Sequence, residues 1–104
     1  MSSINISGIV LANGSIQSGE GFKVTHDQTG LYTIFFSTPF SDSPAVVATQ
    51  IYPNDVNDFG HDTMDNAVIV GIAADRFRVK TGNSNNKGDG ADRDFSFVAV
   101  GITN

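Results

Sequence analysis

Apolar and polar side chains alternate along much of this chain, and this period of two is the feature that most constrains its fold. Alternation places every second side chain on the same face of a β-strand, so the pattern predicts strands with one buried face rather than amphipathic helices. The strands predicted in this way span residues 4–11, 22–27, 31–37, 45–52, 66–73, 76–81 and 94–102. Short strands at regular spacing, separated by turn residues, are typical of an antiparallel β-sandwich.

Length and composition fit one such domain. A chain of 104 residues has the common size of a single domain, and no linker-like stretch divides it. The hydrophobic fraction of 39%, with eight Phe, is enough for a core, and 16% charged residues is too few for a disordered chain. Leu, Glu, Gln and Met are scarce, which favours strands over helices. We therefore expect residues 1–104 to form one all-β antiparallel sandwich of six to seven strands.

The alternation also predicts which side chains face the core. The side chains expected on inward faces are Tyr32, Ile34, Phe36, Phe77, Val79, Phe95, Phe97 and Ala99. Arg76, Arg78 and Lys80 alternate with Phe77 and Val79 and therefore face outward. This strand has a basic outer face. His26 lies on the apolar side of its strand, which indicates a hydrogen-bonded packing residue rather than a catalytic one.

Several classes of function are not expected. The net charge is -5 and the six basic residues are scattered along the chain, so nucleic acid is not an expected partner. The absence of Cys excludes disulfides and thiolate metal sites, and no apolar run approaches the about 18 residues of a membrane span. From the first residues of the sequence we expect no export signal. The sequence contains no Gly-x-Ser-x-Gly motif and no carboxylate pair in apolar surroundings. We expect neither an enzyme nor a cofactor, and the location is left open.

Two long polar segments, residues 54–65 and 82–93, supply the candidate binding residues. The second segment is rich in hydrogen-bonding groups suited to hydroxyl-rich ligands, and its candidates are Asn83, Asn85, Asn86, Asp89, Asp92 and Arg93. At the first segment, Tyr52 could stack on a sugar ring, and His61 lies among aspartates.

Interpretations in which these residues bind no ligand also remain open. Segment 82–93 could be a solvated connector, Tyr52 a residue at the rim of the core, and His61 simply exposed. Asp89, Asp92 and Asp94 alternate as oxygen ligands of a cation do, but their spacing does not match an EF-hand and the bidentate Glu is missing, so no metal is expected.

Part of the chain resembles a known family. The segments that carry the resemblance are residues 19–24, residues 30–36, Pro39-Phe40, residues 44–47 and residues 94–101. Together they resemble a domain at the tips of bacteriophage tail fibres and the H-type lectins, over residues 19–101. The resemblance implies a trimeric antiparallel sandwich that binds sugar at loops near protomer boundaries, on a tail fibre or an extracellular surface.

The chain departs from the H-type lectin pattern at the sugar site. Those lectins read their sugar with an Arg before the fifth strand and an aromatic residue in the loop after the sixth. The corresponding positions here are Asp65-Asn66 and Thr81-Gly82-Asn83. The familiar galactosamine pocket is therefore not carried over, and sugar specificity must be built differently.

Two hypotheses of function result. The first is a glycan- or receptor-binding module for adhesion or host recognition, without membrane insertion, working as a homotrimer or a multiple of it. The apolar residues on both faces of 45–52 and 98–102 also predict an oligomer, since a small sandwich cannot bury both sides of every strand. The second is a structural trimerisation or capping domain of a fibre that binds no ligand. For the first, we expect a neutral sugar, because acidic loops repel anionic ligands.

Overall fold

Eight β-strands make up the regular structure in the computed structural model, which describes residues 2–52, 56, 64–82 and 89–103. Their bounds are β1 Ser2–Val10, β2 Ile16–Gly19, β3 Phe22–Gln28, β4 Leu31–Phe36, β5 Ala45–Ile51, β6 Ala67–Ile72, β7 Arg76–Thr81 and β8 Asp94–Thr103. Within the described ranges, no helix is long and apolar enough to cross a bilayer.

The strands form two four-stranded antiparallel sheets packed face to face. The first sheet has the order β2-β1-β8-β5, and the second has the order β3-β4-β7-β6. The hairpins β3–β4 and β6–β7 each stay within the second sheet, whereas β7 and β8 belong to different sheets. The expected all-β sandwich is confirmed.

The core lies between the sheets and is largely aromatic. Its buried hydrophobic residues are Val10, Phe22, Tyr32, Ile34, Phe36, Phe40, Ala67, Phe77, Val79, Phe95, Phe97 and Ala99. The eight side chains expected on inward faces are all among them. On β3, where the alternation put Phe22, Val24 and His26 on the apolar side, Phe22 is buried, Val24 is partly buried and His26 is exposed. The Phe97 ring packs edge-on against Phe22 at 4.9 Å between centroids and lies 5.1 Å from Phe77. Such aromatic contacts add to the stability that the buried area provides.

One detail of the sequence prediction was wrong. The described residues contain eight strands rather than six to seven, because β2 was taken for a turn. Its four residues are all exposed and only Ile16 is apolar, so no alternation marks it. The strand predicted over residues 45–52 is β5, an edge strand of the first sheet whose outward Val47 is 66% exposed.

Four connections lie at one end of the sandwich, which we call the loop end: β1–β2, β3–β4, β5–β6 and β7–β8. Three hydrogen bonds tie elements together there. The Tyr32 hydroxyl donates to the Ala12 carbonyl at 2.6 Å and so joins the two sheets. The Ala12 N–H donates to Asp94 Oδ1 at 2.7 Å within the first sheet, and the Thr81 N–H donates to the Gly30 carbonyl at 2.8 Å within the second. Both polar segments singled out in the sequence begin and end there, since β5 and β7 run toward this end and β6 and β8 run away from it.

Candidate functional site

The β7–β8 connection is anchored to the end of β7. The Thr81 hydroxyl donates to the Ala91 carbonyl at 2.6 Å, and the Ala91 N–H donates to the Thr81 carbonyl at 3.0 Å. Gly82 and Gly90 form an isolated antiparallel bridge beside this pair. Residues 89–93 are therefore held against the sheet, although they belong to a long connection.

Gly30 lets the β3–β4 turn approach this connection. Its φ of 73° lies in the left-handed region, which glycine adopts without steric strain. A Cβ at this position would lie 2.6 Å from the Thr81 carbonyl oxygen and 2.7 Å from the Gly90 Cα. Any larger residue at position 30 would push the two backbones apart, so the contact depends on glycine.

Asp92 ties the two loops together. Its Oδ1 accepts the Gly30 N–H at 2.7 Å and lies 2.8 Å from His26 Nε2. The His26 ring is stacked on Tyr32, with 4.7 Å between centroids and 8° between planes. His26 is thus a hydrogen-bonded packing residue, as predicted, but it packs on the partly exposed end of the second sheet. One carboxylate oxygen of Asp92 is occupied by contacts within the protein.

Two pKa shifts reflect this arrangement. Burial, followed by the nearby charge of Asp92, raises the pKa of Tyr32 to about 12, so its hydroxyl stays protonated and donates to Ala12. For Asp92, burial acts to raise the pKa, but the Gly30 N–H, the hydrogen bond and charge of His26 and the Tyr32 hydroxyl together outweigh it. The net pKa of Asp92 lies below its usual value, and it remains ionised at neutral pH.

A second group of residues at the loop end forms what we call the Tyr52 cluster: Gln50, Tyr52, Asp65, Gly82 and Arg93. The Tyr52 hydroxyl donates to Asp65 Oδ2, and the Arg93 guanidinium lies over the Tyr52 ring at 5.4 Å from its centroid. The Gly82 N–H donates to Gln50 Oε1 at 3.2 Å. The cluster therefore joins the end of β5, the start of β6 and both ends of the β7–β8 connection.

Two buried donor nitrogens in the Tyr52 cluster have no acceptor among the described residues. They are Gln50 Nε2 and Arg93 Nε. Gln50 pairs with Phe95, so its side chain lies on the inward face of β5, at the open end of the core. A buried donor without a partner costs about 1–3 kcal/mol, so these two nitrogens are unused hydrogen-bonding capacity at this end of the core.

The structure brings together two of the side chains predicted to bind ligand and separates others. Tyr52 and Arg93 are in contact, Asp92 belongs to the neighbouring cluster with His26, and Asp89 is exposed at the edge of the connection. The predicted residues Asn83, Asn85, Asn86 and His61 lie outside the described residues.

Sequence reasoning missed Gln50, Asp65 and Gly82 as members of the cluster. Gln50 carried a usable signal, because it is a polar residue that follows Val46 and Ala48 on the inward register of β5. Asp65 and Gly82 gave no such signal, since their roles arise from contacts between segments. Among the residues that can be described, no group of three or more His, Cys, Asp or Glu side chains could hold a metal ion.

Comparisons with protein-family models, with curated proteins and with solved structures found no match. The resemblance to tail-fibre tips and H-type lectins therefore stays a prediction. Function is inferred from the chain's own residues.

Proposed function

We propose that the protein is a carbohydrate- or receptor-binding module that holds a neutral sugar at the Tyr52 cluster. The observation that carries the proposal is a pair of buried nitrogens beside an aromatic ring, Gln50 Nε2 and Arg93 Nε, for which the described part of the chain offers no acceptor. Sugar hydroxyls offer acceptor oxygens at close spacing, and sugar rings present C–H faces that pack on aromatic side chains. Sites of this kind combine an apolar platform with a few fixed polar groups.

The platform is positioned before any ligand arrives. Asp65 accepts a hydrogen bond from the Tyr52 hydroxyl, and Arg93 covers part of the Tyr52 ring, so both contacts help to set the orientation of the ring. Gln50 is oriented by its hydrogen bond from Gly82. A site built on side chains that are already oriented loses less conformational entropy on binding.

Charge favours a neutral ligand. The loop end carries the carboxylates of Asp65, Asp89, Asp92 and Asp94, and the chain as a whole has a net charge of -5. The Arg93 guanidinium already lies on Tyr52, which reduces its availability to an anion. Sialylated or phosphorylated sugars would therefore be repelled by their surroundings.

The proposal includes a homotrimer. The outward side chains of the first sheet include Val47, Val98, Val100 and Ile102, which are 36–66% exposed. These neighbours form an apolar stripe across β5 and β8, because Val47 pairs with Val98. Contact of this stripe with other copies would remove it from water.

The experiment is a glycan array probed with the wild-type protein and with Arg93→Lys, in parallel with thermal melting. The substitution keeps the charge and most of the stem but removes Nε. Its matched control is Arg76→Lys at the other end of the sandwich, where Arg76 lies over the Phe35 ring at 5.8 Å. We expect Arg93→Lys to weaken binding at least about tenfold, the result of losing about 1.4 kcal/mol, and Arg76→Lys to leave it unchanged.

A second variant, Tyr52→Ala, tests the platform. It should abolish binding of the sugar that the array identifies. Binding that survives both Tyr52→Ala and Arg93→Lys in folded protein would place the ligand elsewhere. A wild-type protein that binds nothing on a broad array would favour the structural alternative, a trimerisation or capping domain without a ligand.

A further inference from the structure

The outer surface of the second sheet contains a groove that the proposed sugar site does not use. It has a volume of about 370 Å³ and runs between β7 and β6, with Thr33 of β4 at one side. We call it the Gly71 groove. Val70 and Ile72 form its apolar side, and Arg76 and Arg78 form its basic side.

Gly71 creates the notch at the centre of this groove. It pairs with Arg78, a position where the neighbouring strand presents a long side chain. A Cβ built on Gly71 would have nothing within 4 Å, so open space lies beside it. A group lying outside β6 can therefore reach toward Arg78 across a position that has no side chain.

The two arginines are held in place. Arg78 Nε donates to Thr33 Oγ1 at 3.1 Å and lies 3.6 Å from Asp27 Oδ2. Arg76 lies over the Phe35 ring, with its Nη1 3.8 Å from Asp75. The Nη atoms of Arg78 make no hydrogen bond to the described part of the chain. Two oriented guanidinium groups at the side of a groove are suited to bind carboxylates.

The fold collects basic residues that are scattered in the sequence. The pairs Lys23–Phe35 and Phe35–Arg76 place Lys23 and Arg76 in one row across the second sheet, on the same outer face as Arg78 and Lys80. Four of the six basic residues of a chain with net charge -5 thus share this face. A partner attracted to it carries negative charge.

β6 also has an open edge. It is the last strand of the second sheet, and no other described strand pairs with its outer side. Val68 and Val70 are more than half exposed along it. Backbone donors and acceptors on a free edge bind another extended chain by β-addition. The register shift between Ile69 and Gly71 limits the regular pairing to about three or four residues on one side.

We propose that the β6 edge and the Gly71 groove bind an extended peptide segment of a partner protein in which acidic and apolar residues alternate. The peptide pairs with β6, and its acidic side chains face Arg78 and Arg76 across Gly71. Strands lie about 4.8 Å apart, so Arg78 and an acidic residue on the added strand are about 10 Å apart at the backbone. Glu and Arg side chains together span that distance.

A continuous polyanion fits this face less well. The carboxylates of Asp27 and Asp75 lie beside the two arginines, and they would repel the regularly spaced charges of a nucleic acid or a sulfated polysaccharide. A peptide can place single carboxylates at the arginines and apolar residues elsewhere, with backbone hydrogen bonds to β6. These features favour a peptide.

The test is fluorescence anisotropy of a labelled peptide of alternating Glu and Val, titrated with the full chain. Two control peptides separate the contributions: alternating Lys and Val reverses the charge, and an N-methylated Glu–Val peptide removes backbone donors. Among protein variants, Gly71→Val adds a side chain at the notch, where a Cβ has open space, and Arg78→Gln removes one charge from the groove. Lys23→Gln removes the same charge from the far edge of the same sheet.

We expect the Glu–Val peptide to bind and both control peptides to bind at least about tenfold more weakly. Gly71→Val and Arg78→Gln should each weaken binding about tenfold, and Lys23→Gln less than about twofold. Melting curves verify that the variants are folded. If Gly71→Val does not fold, the effect of Arg78→Gln on peptide binding decides the test.

Four results would overturn the proposal. The first is failure of the wild-type protein to bind the Glu–Val peptide, and the second is equal binding of the Lys–Val peptide. A third is tight binding of heparin or DNA that Arg78→Gln weakens while the peptide does not bind, which would assign the face to polyanions. The fourth is self-association that Gly71→Val abolishes, which would assign the edge to a second copy of this chain. None of these results bears on the sugar site, which lies at the loop end.

Discussion

At the scale of single residues, Phe97 and Phe36 occupy central positions in the aromatic core. Phe97 contacts Phe22 and Phe77, while Phe36 packs edge-on against Phe40 at 5.0 Å between ring centroids. Both are nearly inaccessible, at 4% and 6% exposure. Their removal leaves a cavity that neighbouring rings can fill only partly.

We therefore expect Phe36→Ala and Phe97→Ala each to lower the free energy of unfolding by about 3–5 kcal/mol, measured by denaturant titration. Phe35→Ala is the matched control, because Phe35 follows the same strand but faces outward, where it is only partly buried. Phe35→Ala should lower the free energy of unfolding by clearly less than either core variant. Unchanged stability in both core variants would mean that the buried face has been misassigned.

Asp92 makes the stability of the fold depend on pH. Its folded-state pKa lies below the value of about 3.9 expected for an unfolded aspartate. A carboxylate of this kind stabilises the fold above the unfolded-state pKa, and this stabilisation is lost as the pH falls through the folded-state pKa. Its hydrogen bonds to Gly30 and His26 are the source of the effect.

Asp92→Asn should lower the free energy of unfolding at neutral pH by about 1 kcal/mol, the lower part of the usual range because the side chain is 39% exposed. The difference from wild type should shrink below about pH 4, where the carboxylate of the unfolded wild-type protein is protonated first and that of the folded protein follows at lower pH. Denaturant titrations at several pH values measure this. Asp89→Asn, an equal change at an exposed position of the same connection, should show no such trend; a difference for Asp92→Asn that persists at acid pH would contradict the assignment.

At the scale of elements, β2 is held by close backbone contact rather than by buried side chains. Gly8 of β1 pairs with Gly19 of β2, and the Phe22 ring packs over them. A Cβ on Gly8 would lie 2.5 Å from the Phe22 ring and 2.7 Å from the Ser18 carbonyl oxygen. The absence of a side chain at position 8 therefore allows both the strand pairing and the seating of Phe22.

Gly8→Ala should destabilise the protein by about 1–3 kcal/mol, the usual cost of adding a methyl group to a filled space. Gly71→Ala is a matched control in another strand, where a Cβ meets open space. It should be neutral or slightly stabilising, since alanine loses less backbone entropy than glycine on folding. Thermal melting of both variants measures the difference. Equal melting temperatures would show that a side chain at position 8 is tolerated and that the close contact there does not control stability.

At the scale of the whole molecule, the two outer faces differ in charge. The outer face of the second sheet carries Lys23, Arg76, Arg78 and Lys80. On the first sheet, the outward positions between the two ends are uncharged: Ser3, Asn5, Ser7, Ala45, Val47, Thr49, Ser96, Val98, Val100 and Ile102. Identical chains with a net charge of -5 repel each other least through an uncharged face, so this face is suited to self-association.

The wild-type protein should sediment as a trimer at micromolar concentration. Val100→Lys should shift it to the monomer, because a charge would then have to be buried in the contact. Val68→Lys on the second sheet, where the native valine is similarly exposed, should leave the trimer intact. A monomeric wild type in sedimentation equilibrium would remove the oligomeric part of the proposal.

The strands and their buried faces could be predicted from the sequence, because a period of two is a local property of the backbone. The alternation placed Tyr32, Ile34 and Phe36 inward, and the turn before them required a residue such as Gly30 that tolerates positive φ. β2 escaped this reasoning because it buries no side chain and so leaves no alternation in the sequence.

Only the tertiary structure decided how distant segments meet. Asp92 and Gly30 are 62 residues apart in the chain, and their hydrogen bond exists because two sheets place both loops at the same end. Two other features arise in the same way: the contact of Arg93 with Tyr52, and the position of basic residues from different strands on one face. Local patterning determines which face of a strand is buried, whereas sheet order and register determine which side chains become neighbours.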